Sequence, residues 1–325
     1  MQLNATEIRQ ALPWDRLIAA LKDIFTKEVC APVRHHHGIN VPNEPQATLL
    51  LMPAWLEGEY LGVKLVNVFP GNNSRGLPGL NSHYMLSSGK TGQPLAQLDA
   101  NELTALRTAA ASAMASAFLS RDDASTLLMV GAGRMARYLI SAHMSVRPIT
   151  TVRVWNRHES AAKALVDELL SQGIDAQLCP VTELEVAARQ ADIISCATLS
   201  TEPLVLGEWL KPGAHLDLVG SFTPTMRETN NTALQRCQVF VDVRAGALSE
   251  TGDLIIPIRE GAITESTIQA DFSELCRGHH RGRADLNDSL NVITLFKSVG
   301  DSREDLAAAV LAYQQCGGVQ SEVDG

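Results

Sequence analysis

The chain has 325 residues, 45% of them hydrophobic and 19% charged. That length exceeds one ordinary core and suits two domains, and the composition describes a globular protein rather than a disordered, fibrous or low-complexity one. A formal net charge of −9 without any basic stripe argues against a nucleic-acid partner, because the phosphate backbone would be repelled.

Residues 1–7 lack the basic flank and apolar stretch of a signal peptide, and no later run is long enough for a bilayer, so a cytoplasmic protein with no membrane partner is expected. Apolar residues at Leu17, Ile18, Leu21, Ile24, Phe25 and Val29 recur at helical spacing and predict an amphipathic helix over 14–30. Strand-like runs over 47–55 and 60–69, parted by Glu57-Gly58-Glu59, and a third over 84–88 predict an antiparallel or mixed sheet. Asp99-Ala100-Asn101-Glu102 has the form of a capping box and opens an Ala-rich helix ending near Leu119.

From Thr126 the texture changes. Short apolar runs at 126–130, 151–155, 192–197, 215–219, 239–243 and 291–296 recur, the first two each followed by a helical pattern, as in an α/β fold with a doubly wound parallel sheet. A last helix over 302–316, ended by Gly317, is placed to return to the first domain. The expected division is therefore a discontinuous α+β substrate-binding and dimerisation domain, 1–120 with 302–325, and a Rossmann domain, 121–301.

Gly131-Ala132-Gly133-Arg134-Met135-Ala136 is a Gly-x-Gly-x-x-Ala fingerprint directly after a strand and at the head of a helix. The first glycine permits the tight turn, the second lets the backbone approach a pyrophosphate, and the small sixth residue allows close helix packing. The next strand ends Trp155-Asn156-Arg157-His158, with no carboxylate for a ribose 2′-hydroxyl and an arginine suited to a 2′-phosphate. NADPH is the expected cofactor, and Glu159 leaves NADH open. The cysteines stand singly and His35-His36-His37 are adjacent, which does not converge on one ion, so no metal is expected.

Four segments together resemble the ornithine cyclodeaminase and mu-crystallin family: Gly62-Val63-Lys64-Leu65-Val66-Asn67, Leu103-Thr104-Ala105-Leu106-Arg107-Thr108-Ala109-Ala110, the glycine fingerprint, and Ile293-Thr294-Leu295-Phe296-Lys297-Ser298-Val299-Gly300. The resemblance implies a homodimer joined through the first domain, a substrate lying between the domains, and a substrate carboxylate held by Arg34, Lys64 and Arg107. Arginine and lysine can offset the cost of taking that carboxylate out of water. It also implies that Lys297, Ser298 and Gly300 line the nicotinamide side, and Thr198, Gly220 and Ser221 are counted with the cofactor site.

Cyclodeaminases of the family carry an aspartate within Gly-x-Asp-x-Pro, where this chain has Gly220-Ser221-Phe222-Thr223-Pro224. Phenylalanine cannot exchange protons. The segment instead resembles the reductases of Δ1-pyrroline-2-carboxylate and Δ1-piperideine-2-carboxylate, which implies reduction of a cyclic imino acid to L-proline or L-pipecolate. His83 and Lys64 are the expected proton donors, with Glu250 a weaker one. An ornithine cyclodeaminase, an alanine-type dehydrogenase and a non-catalytic NADPH-binding protein of the mu-crystallin kind remain the alternatives.

Overall fold

The computed structural model describes residues 1–318. Local capping chemistry starts the chain: Asn4 accepts the N–H groups of Thr6 and Glu7, and the Glu7 carboxylate accepts the N–H of Asn4. This complete capping box launches α1 (Ala5–Ala11), a helix too short for its periodicity to register in the sequence. Next, α2 (Trp14–Thr26) buries Leu17, Leu21, Ile24 and Phe25. It stops at Thr26 rather than at Cys30, because Cys30 pairs through its backbone with Trp55.

Six strands follow one order in space, β1-β6-β5-β4-β3-β2, with ranges β1 (Gln2–Leu3), β2 (His35–Ile39), β3 (Ala47–Leu56), β4 (Tyr60–Val68), β5 (Leu80–Ser88) and β6 (Pro94–Asp99). All neighbours are antiparallel except β1 beside β6, so the sheet is mixed. The register sets Met52, Lys64 and Tyr84 in one row, and Leu51, Leu65 and His83 in the next. Successive side chains of a strand point to opposite faces, so the two rows face opposite ways. The first row is buried, and the second is half-buried or exposed.

After β6, Asp99 accepts the N–H groups of Asn101 and Glu102 and starts α3 (Ala100–Leu119), while the Glu102 carboxylate accepts from Arg9 Nε at 2.9 Å. Ala109, Ala110, Ala113 and Ala115 are all buried along this helix, whose small residues permit close packing.

The second sheet is wholly parallel, in the order β13-β12-β14-β11-β10-β7-β8-β9. Its elements are β7 (Thr126–Val130), α4 (Arg134–Val146), β8 (Thr151–Trp155), α5 (Glu159–Ser171), β9 (Gln177–Val181), α6 (Leu184–Gln190), β10 (Ile193–Cys196), β11 (His215–Leu218), α7 (Asn231–Arg236), β12 (Cys237–Val241), α8 (Arg244–Glu250), α9 (Gly252–Arg259), β13 (Ile268–Asp271), α10 (Phe272–Cys276) and β14 (Ile293–Lys297). Central strands buried on both faces read as short continuous apolar runs, which is why the sequence displays them. The edge strands β9 and β13 mix polar residues among the apolar ones and escape that pattern.

Leu128, Val130, Ile194, Leu216, Leu218, Val239 and Leu295 form the centre of this unit's core. On the opposite face of the sheet a charge is buried: Asp217 on β11 accepts from Ser195 Oγ at 2.7 Å and Ser112 Oγ at 3.0 Å, and lies 3.2 Å from His143 Nε2. Burial pushes its carboxyl up, but His143 and Ser195 outweigh burial and hold it below the usual carboxylate range.

The chain closes with α11 (Ser302–Gln315), capped by Asp301, which packs against α2, β3 and β4. Contacts divide the chain into one compact unit made of residues 1–108 with the segment from Asp301, and another, Ala109–Gly300. Residues 319–325, included in the expected first domain, lie outside the described residues. No described helix is long and apolar enough to cross a membrane. Replacing the cap by Asp99→Ala is expected to cost about 1 kcal/mol, read as a lower denaturation midpoint at constant slope; an unchanged midpoint would remove the cap from the account of α3.

Candidate active site

Within the first unit, the buried face of the sheet carries a knot of charge. Lys64 Nζ lies 2.7 Å from Asp305 Oδ2 and 3.5 Å from Thr104 Oγ1. Arg107, one turn further along α3 than Thr104, donates from Nε to Asp305 Oδ1 at 3.0 Å and from Nη1 to Glu304 Oε2 at 2.7 Å. Arg34, just ahead of β2, is half-buried, and its positive charge acts on both Lys64 and Asp305. The three expected carboxylate-holding cations thus belong to one electrostatic cluster with Glu304 and Asp305.

Burial pushes the Lys64 amine down to about 8, with Arg107 and Arg34 assisting and Asp305 opposing. Burial pushes Asp305 up, but Lys64 and Arg107 more than reverse this and hold it below the usual carboxylate range. Tyr84 lies opposite Lys64 in the strand register, and among the described residues its buried hydroxyl has no hydrogen-bond partner. A side chain at Gly62 would run into that hydroxyl, which is the physical need for glycine two residues before Lys64.

His83 requires a correction. It pairs in register with Leu65 and is exposed, on the face of the sheet opposite the cluster, so strand alternation takes it away from Lys64. Glu250, the weaker candidate, is the last residue of α8, in the second unit. The acidic pair Glu304 and Asp305 was missed, although a signal existed: Asp305 precedes Ala309 and Ala312 at helical spacing, on the buried face of α11.

In the second unit, β7 runs into Gly131, whose φ of 106° and close approach to the Ala197 carbonyl exclude a side chain. Gly133 caps α4, and a side chain there would meet nothing within 4 Å. No protein atom requires glycine at that position; the space stands open beside the helix N-terminus, where free backbone N–H groups favour an anion. Arg134 and Met135 follow as the first residues of α4, and buried Ala136 packs its first turn against the sheet. Asn156, at the end of β8, accepts the N–H of Ala132 at 3.3 Å, and Arg157 beyond it is exposed. These residues fit a dinucleotide diphosphate.

Thr198 and Gly220 follow β10 and β11, and Gly300 follows β14 with its N–H on Asp242 Oδ2. Ser298 is buried, its N–H on the Leu218 carbonyl. Two further residues counted with the cofactor site have buried side chains. Lys297 is fully buried, with Nζ donating to the Leu218 carbonyl and 3.4 Å from Asp253 Oδ2. Ser221 is also fully buried, its hydroxyl bonding the Met226 carbonyl and Thr251. Both brace the interior with their side chains. Phe222, by contrast, is 56% exposed.

His35, His36 and His37 alternate along β2, and the described residues contain no group of three or more His, Cys, Asp or Glu that could hold a metal.

Fold and turn define a dinucleotide-binding α/β protein that carries a cationic cluster in a separate α+β unit. The sequence profile of the ornithine cyclodeaminase/mu-crystallin family matches residues 2–319, and the chain belongs to that family. It is 38% identical to a Delta(1)-pyrroline-2-carboxylate reductase of Paracoccus denitrificans, over 82% of each chain. The structure of Thermococcus litoralis Delta(1)-pyrroline-2-carboxylate reductase with NADH and L-proline superposes with a TM-score of 0.88, 33% identity and 97% coverage of each chain. An archaeal alanine dehydrogenase dimer with bound NAD gives 0.86, at 28% identity over 97% of this chain and 95% of that one.

Because Asp305 supports the charged form of Lys64, Asp305→Asn is expected to lower the lysine pKa below about 8. The ammonium is present below that value and lost above it, so the substrate KM should climb as pH rises through 8 in the wild type and at lower pH in the variant. Superimposable KM–pH curves would detach Asp305 from the lysine.

Proposed function

We propose that this protein reduces a cyclic imino acid, Δ1-pyrroline-2-carboxylate or Δ1-piperideine-2-carboxylate, to L-proline or L-pipecolate with NADPH or NADH. The observation that carries the reading is the buried pairing of Lys64 and Arg107 beside Arg34, in a chain that also bears the open turn at Gly131. The similarity to named pyrroline-2-carboxylate reductases supports it.

These cations attract a substrate carboxylate, and the guanidinium and ammonium supply donors to replace its water. The dinucleotide, when bound, supplies hydride to C2. Reduction of the C=N bond also needs a proton on nitrogen. Lys64, with its amine near 8, can hold or return that proton close to neutral pH, the range where such exchange is efficient. With His83 on the other face, Lys64 is the proton carrier of choice. The Lys64–Asp305 and Arg107–Glu304 pairs fix both cations before the substrate arrives, so little ordering remains to be done.

Cyclodeaminase chemistry is disfavoured by Phe222, which offers no titratable atom where that branch carries a carboxylate. Exposed Arg157 past β8 favours a 2′-phosphate and hence NADPH. The second face of the first sheet carries Leu51, Pro53, Trp55, Val63, Leu65 and Met85, an apolar surface of the kind a partner covers. A second copy of the chain is the occupant in this reading, in keeping with the dimeric alanine dehydrogenase. Cysteines scattered singly through the sequence fit a reducing compartment such as the cytoplasm.

The decisive experiment offers both imino acids, ornithine, and pyruvate with ammonium while NADPH oxidation is followed at 340 nm, a wavelength set by the reduced nicotinamide. One equivalent of NADPH is expected to disappear per imino acid, and Arg157→Ala should raise KM for NADPH but not for NADH. Ammonia release from ornithine without net cofactor turnover would overturn the reading. For the assembly, Leu65→Lys should convert a dimer into a monomer in sedimentation velocity; a wild-type monomer would refute the second copy.

A further inference from the structure

Glu228, which lies in no helix or strand, is a fully buried carboxylate with a full set of donors. Its Oε1 accepts from the N–H of Thr198 at 2.7 Å and from the Thr198 hydroxyl at 2.8 Å, and its Oε2 accepts from the N–H of Gly220 at 2.7 Å. One side chain therefore ties the segment leaving β10 to the segment leaving β11. Its own backbone N–H is fixed by Asp253 Oδ1 at 2.7 Å.

The place of this tie in the topology matters. The chain builds outward from β7 through β8 and β9, then reverses to lay down β10 and β11 on the other side of β7. The reversal falls between β7 and β10, and in open parallel sheets a dinucleotide crosses the carboxyl ends of the strands at that point. Here the Gly131 turn lies directly against Ala197 and Thr198: the Ala197 N–H donates to the Val130 carbonyl, and a side chain at Gly131 would strike the Ala197 carbonyl and the Thr198 methyl. At Gly220, a side chain would strike the Thr198 backbone and Glu228 itself. The adenosine diphosphate half has its seat at Gly131 and Gly133; the rim tied by Glu228 lies on the far side of the reversal, where the rest of the dinucleotide extends.

We propose that Glu228 is a positioning residue for the nicotinamide half of the cofactor, acting by holding the ends of β10 and β11 in one fixed arrangement. This rests on the dinucleotide-binding reading above. All three bonds are charge-assisted while the carboxylate is ionised, so the tie is strongest in that state. Protonation removes the charge assistance and weakens the holds on Thr198 and Gly220.

The groups that face Glu228 are Cys196 on β10, Asp253 on α9 and Lys297 on β14. Burial pushes the Cys196 thiol well above its ordinary value, so it stays neutral. Burial, then the Asp253 charge, push Glu228 up to about 7 against the opposing Lys297 and Thr198. Both cofactor affinity and its pH dependence should therefore report the tie.

The test measures binding of NADH and of ADP-ribose, which lacks nicotinamide, to the full-length wild type, Glu228→Gln and Asp253→Asn at roughly pH 6 to 8.5, where neither ligand titrates. The wild type should bind NADH more weakly as pH falls through about 7, while ADP-ribose binding stays level. Glu228→Gln should lose about ten-fold in NADH affinity at the upper end of the range, lose its pH dependence, and keep ADP-ribose affinity. Asp253→Asn, which retains an acceptor for the Glu228 N–H, should move the wild-type midpoint to lower pH. Equal losses of both ligands in Glu228→Gln, or level NADH binding across the range in the wild type, would overturn the proposal; the wild-type curve serves even if the variants fail to fold. Absence of any NADH binding by the wild type would instead remove the cofactor reading, and this proposal with it.

Discussion

Two cations cannot be buried side by side without opposing charge. Removing each from water costs several kcal/mol, an expense that grows when the neighbour has the same sign, and the interior of the first unit accepts Lys64 and Arg107 only because Asp305 reaches both and Glu304 adds a second contact. The carboxylates come from the last helix of the chain, the cations from β4 and α3. A unit formed from the two ends of the sequence follows from that pairing as much as from the packing of Leu306, Ala308 and Tyr313. The cationic cluster and the discontinuity of the fold thus have one electrostatic cause.

Buried carboxylates play a matching part in the second unit, with backbone N–H groups as their partners. Asp242 accepts from Val299 and Gly300 beyond β14, Glu228 from Thr198 and Gly220 beyond β10 and β11, and Asp253 from Glu228 and Thr229. Segments that leave a parallel sheet have no ladder to hold them, and charge-assisted hydrogen bonds to a buried carboxylate supply a strong substitute. The carboxyl edge of the sheet gains a fixed shape.

The two units also divide the chemistry. Buried cationic donors lie in the first, and the glycine turn lies in the second, with Gly133 bordered by open space that no protein atom claims. Phe222 removes a carboxylate found in the deaminating branch and leaves the reductive chemistry as the economical reading.

By itself the sequence determined the features whose physics is local. The central parallel strands are visible because strands buried on both faces must be apolar throughout; the Gly131 turn is visible because its backbone excludes other residues; the start of α3 is visible because Asp99 caps it. Lys64 and Arg107 were found through motif resemblance, which names residues without revealing their partners. Tertiary structure alone decided that Asp305 pairs with both, since nearly two hundred residues or more separate it from either cation. It moved His83 to the wrong face, because a one-residue step along a strand reverses direction and only the register with Lys64 reveals which side is buried. It turned Lys297 and Ser221 inward, and it gave Glu228 its meaning, for an isolated carboxylate in an irregular segment has no periodicity to read until the ends of two strands close around it.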